Sequence, residues 1–212
     1  IGFAGNPTEY LAGTLIAAIL LFIIIGIGCI SGSIEFGGFN TNVNIKSLLL
    51  WVLAFGIQGA AEEIMCRGFL LHSLKNRISV PLAILISSTA FVFPHLSSLL
   101  EAELVYAMVG IINLYLISIV FSILVLWRSN LWIVCGLHSI WNFILYSIMG
   151  LSLSGSESAL NGVILFHVKD ANILNGAEYG IEASVITTVA LGILLVVMVK
   201  GWKGRMAKNG VS

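Results

Sequence analysis

Six apolar stretches, each close to twenty residues or longer, run through this chain at 11–30, 47–74, 80–100, 104–127, 131–150 and 183–200. A spanning helix needs roughly 20 apolar residues, so the pattern points to an all-α, polytopic membrane helix bundle with about six spans. Composition agrees. Of 212 residues 58% are hydrophobic and 9% charged, with a mean hydropathy of +1.05, whereas a soluble domain carries about 25% charged residues. Ten basic and ten acidic residues leave no net charge, which excludes a nucleic-acid partner drawn by a basic surface. Cys29, Cys66 and Cys135 all fall in apolar stretches and read as small buried hydrophobes, not as a disulfide framework. The chain starts at Ile1 with no basic region ahead of its first apolar run. We therefore expect no signal peptide in it and read it as part of a longer chain. Residues 1–212 are expected to form a single membrane-embedded domain.

The loop charges alternate. Lys75 and Arg77 follow the second stretch, Arg128 the fourth, and Lys200, Lys203, Arg205 and Lys208 the sixth. The intervening loops carry Glu35 and Lys46, then Glu101 and Glu103, then Glu157, Lys169, Asp170, Glu178 and Glu182. Seven basic residues thus fall on one side and two on the other. Cytoplasmic loops are rich in Lys and Arg, so the first side is expected in the cytoplasm, together with both ends of the chain. Compact spans without an organelle signal point to a bacterial plasma membrane. The 151–182 loop then lies outside. It is rich in Gly and Ser, and its apolar run at 163–166 is expected to dip into the interface.

Ionisable residues inside spans cost ~2.5–3.5 kcal/mol each on insertion scales, yet Glu62, Glu63, Arg67, His95 and His138 sit in three of them. Glu63 and Arg67 stand i,i+4 with the acid first, the favourable order, and read as a structural ion pair. Glu62 lies about 100° around the helix from Glu63 and needs another partner, for which a histidine on a neighbouring helix is the natural choice. At a rise of 1.5 Å per residue from the cytoplasmic ends, Glu62, His95, His138 and Asn142 lie at depths of about 20, 22, 10 and 17 Å. Three helices therefore bring polar groups toward one layer. Phe91 and His95 share a face, with Pro94 between them to kink the helix. His138 and Asn142 also stand i,i+4. His72 and His167 lie near the membrane surfaces and carry no assigned role.

Glu62-Glu63-Ile64-Met65-Cys66-Arg67 fits EExxxR, Phe91-Val92-Phe93-Pro94-His95 fits FxxxH, and His138-Ser139-Ile140-Trp141-Asn142 fits HxxxN. In this order, each on its own apolar stretch, the motifs resemble the CPBP family (CAAX protease and bacteriocin-processing, also called Abi). That family holds type II CAAX prenyl endopeptidases and bacteriocin self-immunity proteins. The resemblance has its core at about 47–150 and extends past the outside loop, through Gly176, Gly180 and Glu182, to the last span at 183–200. It implies a glutamate-type intramembrane endopeptidase acting on a membrane-associated protein or peptide. Glu62 would be the general base that activates water, with His95 as its partner. His138 and Asn142 would stabilise the oxyanion, and Glu63 with Arg67 would hold the site in shape. The alternative within the same family is a non-catalytic bacteriocin-immunity or binding protein.

The residue chemistry is compatible with hydrolysis, which needs a base, an activated water and donors for the developing charge. A cysteine nucleophile is less suited, because Cys66 lies one turn from Glu62 with no third orienting group. A divalent metal such as zinc stays open: there is no HExxH, but Glu62, His95 and His138, with Glu63 beside them, are ligand types that zinc takes. A transporter of this kind would show repeat halves and interrupted helices, and the sequence has neither.

The charge alternation has a direct test. A cysteine placed at Ser79 should stay shielded from an impermeant thiol reagent in intact cells, while one at Ser156 should label. Equal labelling would overturn the sidedness.

Overall fold

A computed structural model describes residues 2, 3, 6–158 and 162–208, with side chains as far as 204. The parts of the expected domain at 1, 4, 5, 159–161 and 209–212 lie outside the described residues. The six apolar stretches are helices: α1 Glu9–Ile30, α2 Ile45–Leu74, α3 Val80–Glu101, α4 Leu104–Arg128, α5 Trp132–Ile148 and α6 Val185–Lys208. Their ends follow local chemistry. Asn44 caps α2 by accepting the Ser47 N–H at 3.2 Å, satisfying an orphan donor of the first turn. α3 starts behind an extended Ser79 with proline in its first turn, where a missing N–H costs nothing. The basic tail that the sequence suggested as a loop continues α6 as helix to Lys208.

Five of these helices are long and apolar enough to cross a membrane; α5 is shorter. The six helices agree with the expected all-α polytopic bundle, α5 being the shortest of them. The chain leaves α5 at Gly150 in a left-handed conformation, φ +62°. This helix can be short because it is the inner one, flanked by α1 and α2. Small residues allow that. A Cβ on Gly136 would lie 2.1 Å from the Tyr10 carbonyl oxygen of α1, and one on Gly13 1.9 Å from that of Ile133. On the other side, a Cβ on Gly59 of α2 would lie 2.7 Å from Ser139 Oγ. Close backbone approach at small residues is how membrane helices pack without a hydrophobic driving force.

α4 packs on α3 and α6, and Arg128 at its end pairs with Glu9 at the start of α1. Apolar rows at four-residue spacing stay exposed on the outer helices: Leu11-Leu15-Ile19, Leu49-Leu53-Ile57 and Val189-Ile193-Val197. These are the surfaces a bilayer covers.

The apolar run at 163–166 contributes to strand β2, Ile164–Val168, which pairs antiparallel with β1, Ile34–Phe39. Phe36 and Phe166 meet edge to face at 5.9 Å, a cross-strand aromatic contact that favours pairing. This ribbon joins the loops after α1 and α5 on one side of the bundle.

Gly136→Val should be severely destabilising, by at least the ~1–3 kcal/mol typical of overpacking, because the obstructing atoms are backbone. Gly56→Ala should be neutral or raise stability by up to ~1 kcal/mol, since nothing lies within 4 Å of its Cβ position. Thermal unfolding of both variants in the same detergent checks the contrast.

Candidate active site

The EExxxR segment straddles a change of helix type. α2 is α-helical through Glu63 and π-helical over Ile64–Leu71. Wider turns of this kind leave carbonyls out of the regular ladder and recur at functional sites. Within this segment the Cys66 carbonyl accepts the Ser87 hydroxyl of α3 at 2.8 Å. The same turn carries Arg67 into the core. Arg67 Nη1 donates to Glu63 Oε1 at 2.7 Å, and neither side chain is exposed. Nη2 donates to the Ser118 carbonyl at 3.3 Å and to its hydroxyl. The guanidinium lies over the rings of Phe91 and Phe121, at 4.5 and 5.2 Å from their centroids, a desolvated cation–π arrangement. The ion pair expected from the i,i+4 spacing is present.

His138 joins the two glutamates. Its Nδ1 is 3.0 Å from Glu63 Oε1 and its Nε2 3.9 Å from Glu62 Oε2. Glu62 is also steadied by Gln58 Nε2, which donates to Oε1 at 3.1 Å. The histidine within ion-pair range of Glu62 is His138. The reason is the helix crossing. α5 meets α2 at Gly59 and Ser139, which brings the adjacent His138 against the glutamates. His95 sits instead in the 3₁₀ turn Phe93–His95 that Pro94 imposes, and its Nδ1 is 3.0 Å from the Phe91 carbonyl. A carbonyl can only accept, so Nδ1 carries the proton and Nε2 the lone pair.

Glu62, His95, His138 and Asn142 nevertheless line one cavity of about 540 Å³. Asn142 is 6% exposed, and among the described residues its amide has no hydrogen-bond partner. Phe91 gives the FxxxH motif its first letter. It touches the His95 ring at 5.2 Å and the His138 ring at 5.7 Å while stacking under Arg67. α5 turns π-helical at Ile144–Ile148, just past Asn142. Every motif thus abuts a departure from α-helical geometry.

The cavity reaches from this polar layer to the end of the bundle that bears Ser154, Ser156 and Glu182, away from Lys75, Arg77 and Arg128. Gln58, Ser118 and Glu182 were missed as site residues. Gln58 had a signal, standing four residues before Glu62 on the same face. Ser118 had none, being one serine in an apolar stretch.

Among the described residues no group of three His, Cys, Asp or Glu side chains gathers as metal ligands; His138 gives Nδ1 to Glu63 and keeps Nε2 toward Glu62 and the cavity. Cys66 and Cys135 are buried and free.

Residues 44–144 match the model of a family described as Type II CAAX prenyl endopeptidase Rce1-like. This match supports the resemblance to the CAAX protease-like (CPBP) family. The matched segment is just under half of the chain and holds all three motifs, from α2 through most of α5. Comparisons with curated proteins and with solved structures give no match. The long apolar helices mark an integral membrane protein, and the match supports, in general terms, a likeness to CAAX-type intramembrane proteases.

Arg67→Ala would strand Glu63 without its counter-ion, and breaking a buried pair typically costs ~3–5 kcal/mol. Its melting temperature should fall well below that of Glu62→Gln, which alters a carboxylate still 24% exposed. An Arg67→Ala protein that is fully stable but inactive would move Arg67 from the framework into the chemistry.

Proposed function

We propose that this chain is an intramembrane endopeptidase that cleaves a peptide bond of a membrane-associated protein or peptide, with Glu62 as general base. The observation that supports it best is the convergence of Glu62, His95, His138 and Asn142, from three helices, on one cavity within a membrane-spanning bundle. The Glu62 carboxylate opens to the cavity and can take a proton from water. His95 spends its N–H on the Phe91 carbonyl, so its Nε2 can accept a hydrogen bond from that same water and hold it for attack. The two residues then cooperate through the water they share rather than by direct contact.

His138 turns Nδ1 to Glu63 and keeps Nε2 for the cavity, where it donates to an oxyanion in its imidazolium form. The Asn142 amide is a second donor beside it. As the water oxygen bonds to the carbonyl carbon, negative charge moves to the carbonyl oxygen between these two groups. Collapse breaks the C–N bond, and the proton held by Glu62 passes to the leaving amine. Glu63 and Arg67 hold His138 in place and take no part in proton transfer.

The proposed location is a bacterial plasma membrane with both ends of the chain cytoplasmic, supported by the loop charges. With that sidedness the cavity opens away from the cytoplasm, and the peptide approaches from the outer face.

Glu62→Gln and His95→Ala should each abolish cleavage of a membrane-associated peptide substrate, and the double variant should be little worse, because residues acting as a unit are non-additive. Asn142→Ala should retain activity lowered by about 10²–10³, the usual loss for one oxyanion donor. Chelators should leave the rate unchanged. Cleavage by Glu62→Gln at the parent rate would end the proposal.

A further inference from the structure

Glu182 belongs to none of the three motifs and lies beyond the matched segment, in the 3₁₀ turn Ile181–Ala183 before α6. It still reaches the cavity wall. Trp141 Nε1 donates to its Oε1 at 3.0 Å, and the Ser154 backbone N–H and hydroxyl donate to its Oε2 at 2.7 and 3.0 Å. Its main chain is fixed as well: the Asn113 amide donates to the Glu182 carbonyl at 2.8 Å and to the Ser184 carbonyl at 3.0 Å. Trp141 directly precedes Asn142 on α5, so this carboxylate is tied to the helix that carries the proposed oxyanion donors.

All of these donors are neutral. Among the described residues no Lys, Arg or His lies within ion-pair distance of Glu182; the ion pairs involve Glu9, Glu35, Glu62 and Glu63. The hydrogen bonds hold the charge in place without neutralising it. The cavity lining contains two carboxylates, Glu62 and Glu182, no lysine or arginine, and the two histidines His95 and His138. His138 lies beside Glu62 and not within ion-pair distance of Glu182, and low-dielectric walls focus the field of the unpaired Glu182 carboxylate on whatever enters.

We propose that Glu182 is a specificity-determining carboxylate. It would receive a cationic group of the peptide (a lysine, an arginine or an N-terminal ammonium) near the scissile bond, and disfavour a carboxylate there. Selectivity of this kind is a difference between two affinities, here one attraction and one like-charge repulsion on the same fixed group. The inference rests on the proteolytic reading of the cavity.

The test uses three apolar peptides that differ at one position near the cleaved bond, carrying Lys, Gln or Glu. Binding is measured on the full chain with Glu62→Gln, which needs no turnover and leaves Glu182 as the remaining carboxylate of the wall. Cleavage is measured on the parent protein. The Lys peptide should bind roughly tenfold or more tighter than the Glu peptide, the scale of one partly desolvated charge contact. Adding Glu182→Gln should bring the ratio to about one. Trp141→Phe, which removes a donor but keeps the carboxylate, should preserve the preference.

A Glu182→Gln protein that binds all three peptides more weakly but keeps the ratio would reduce Glu182 to a loop brace and overturn the proposal. A Lys-to-Glu ratio of one or below before Glu182 is changed overturns it too, even if Glu182→Gln does not fold. Selective binding with no cleavage of any peptide by the parent would sink the proteolytic reading and leave the cation subsite standing.

Discussion

One buried oxygen organises this molecule. Glu63 Oε1 receives both Arg67 Nη1 and His138 Nδ1, and the arginine goes on to Ser118. The network therefore binds α2 to α5 and α4, and the stack of Arg67 on Phe91 brings in α3. Burying such charges is expensive, and an apolar substitute of the same volume can be as stable or more so. Fixed register is a more direct return. With four hydrogen bonds on Glu63 and Arg67, α5 cannot slide or rotate without breaking an ion pair, and His138 is held to the geometry that leaves its Nε2 toward Glu62 and the cavity.

The polar layer also explains why the motif helices are irregular. An unbroken α-helix uses every interior carbonyl on itself. The π segments after Glu63 and Asn142 and the 3₁₀ turn at Pro94 rotate the side chains that follow and release individual backbone groups. Two carbonyls in these segments accept side-chain bonds: that of Cys66 ties α2 to Ser87, and that of Phe91 sets the tautomer of His95. Rigidity in this site comes from side chains bonded to displaced backbone rather than from helical regularity.

The apolar helices and the shared polar layer were legible in the sequence because each depends on local periodicity and on the cost of a charge in lipid. The pairing of Glu63 with Arg67 was legible for the same reason, as it is internal to one helix. Which histidine faces which glutamate was not. That depends on α5 crossing α2 at Gly59 and Ser139, and nothing in the spacing along either helix encodes the crossing. Glu182 was equally hidden, because it looked like one more acidic loop residue until the fold returned residues 154 and 182 to the top of α5. The ribbon of β1 and β2 escaped notice since its two strands are short and more than a hundred residues apart.

The crossing of α1 on α5 separates two boundaries that are easily confused. The segment that carries family likeness starts at residue 44, yet the backbone of α5 lies directly against Tyr10 and is indented by glycine to admit it. A portable unit of this protein, one that could be grafted into another scaffold or produced as a fragment, has to include a helix that fits that indentation. Without α1 the motif-bearing helices would present a notch shaped for a partner they had lost, and the inner helix of the bundle would become an outer one.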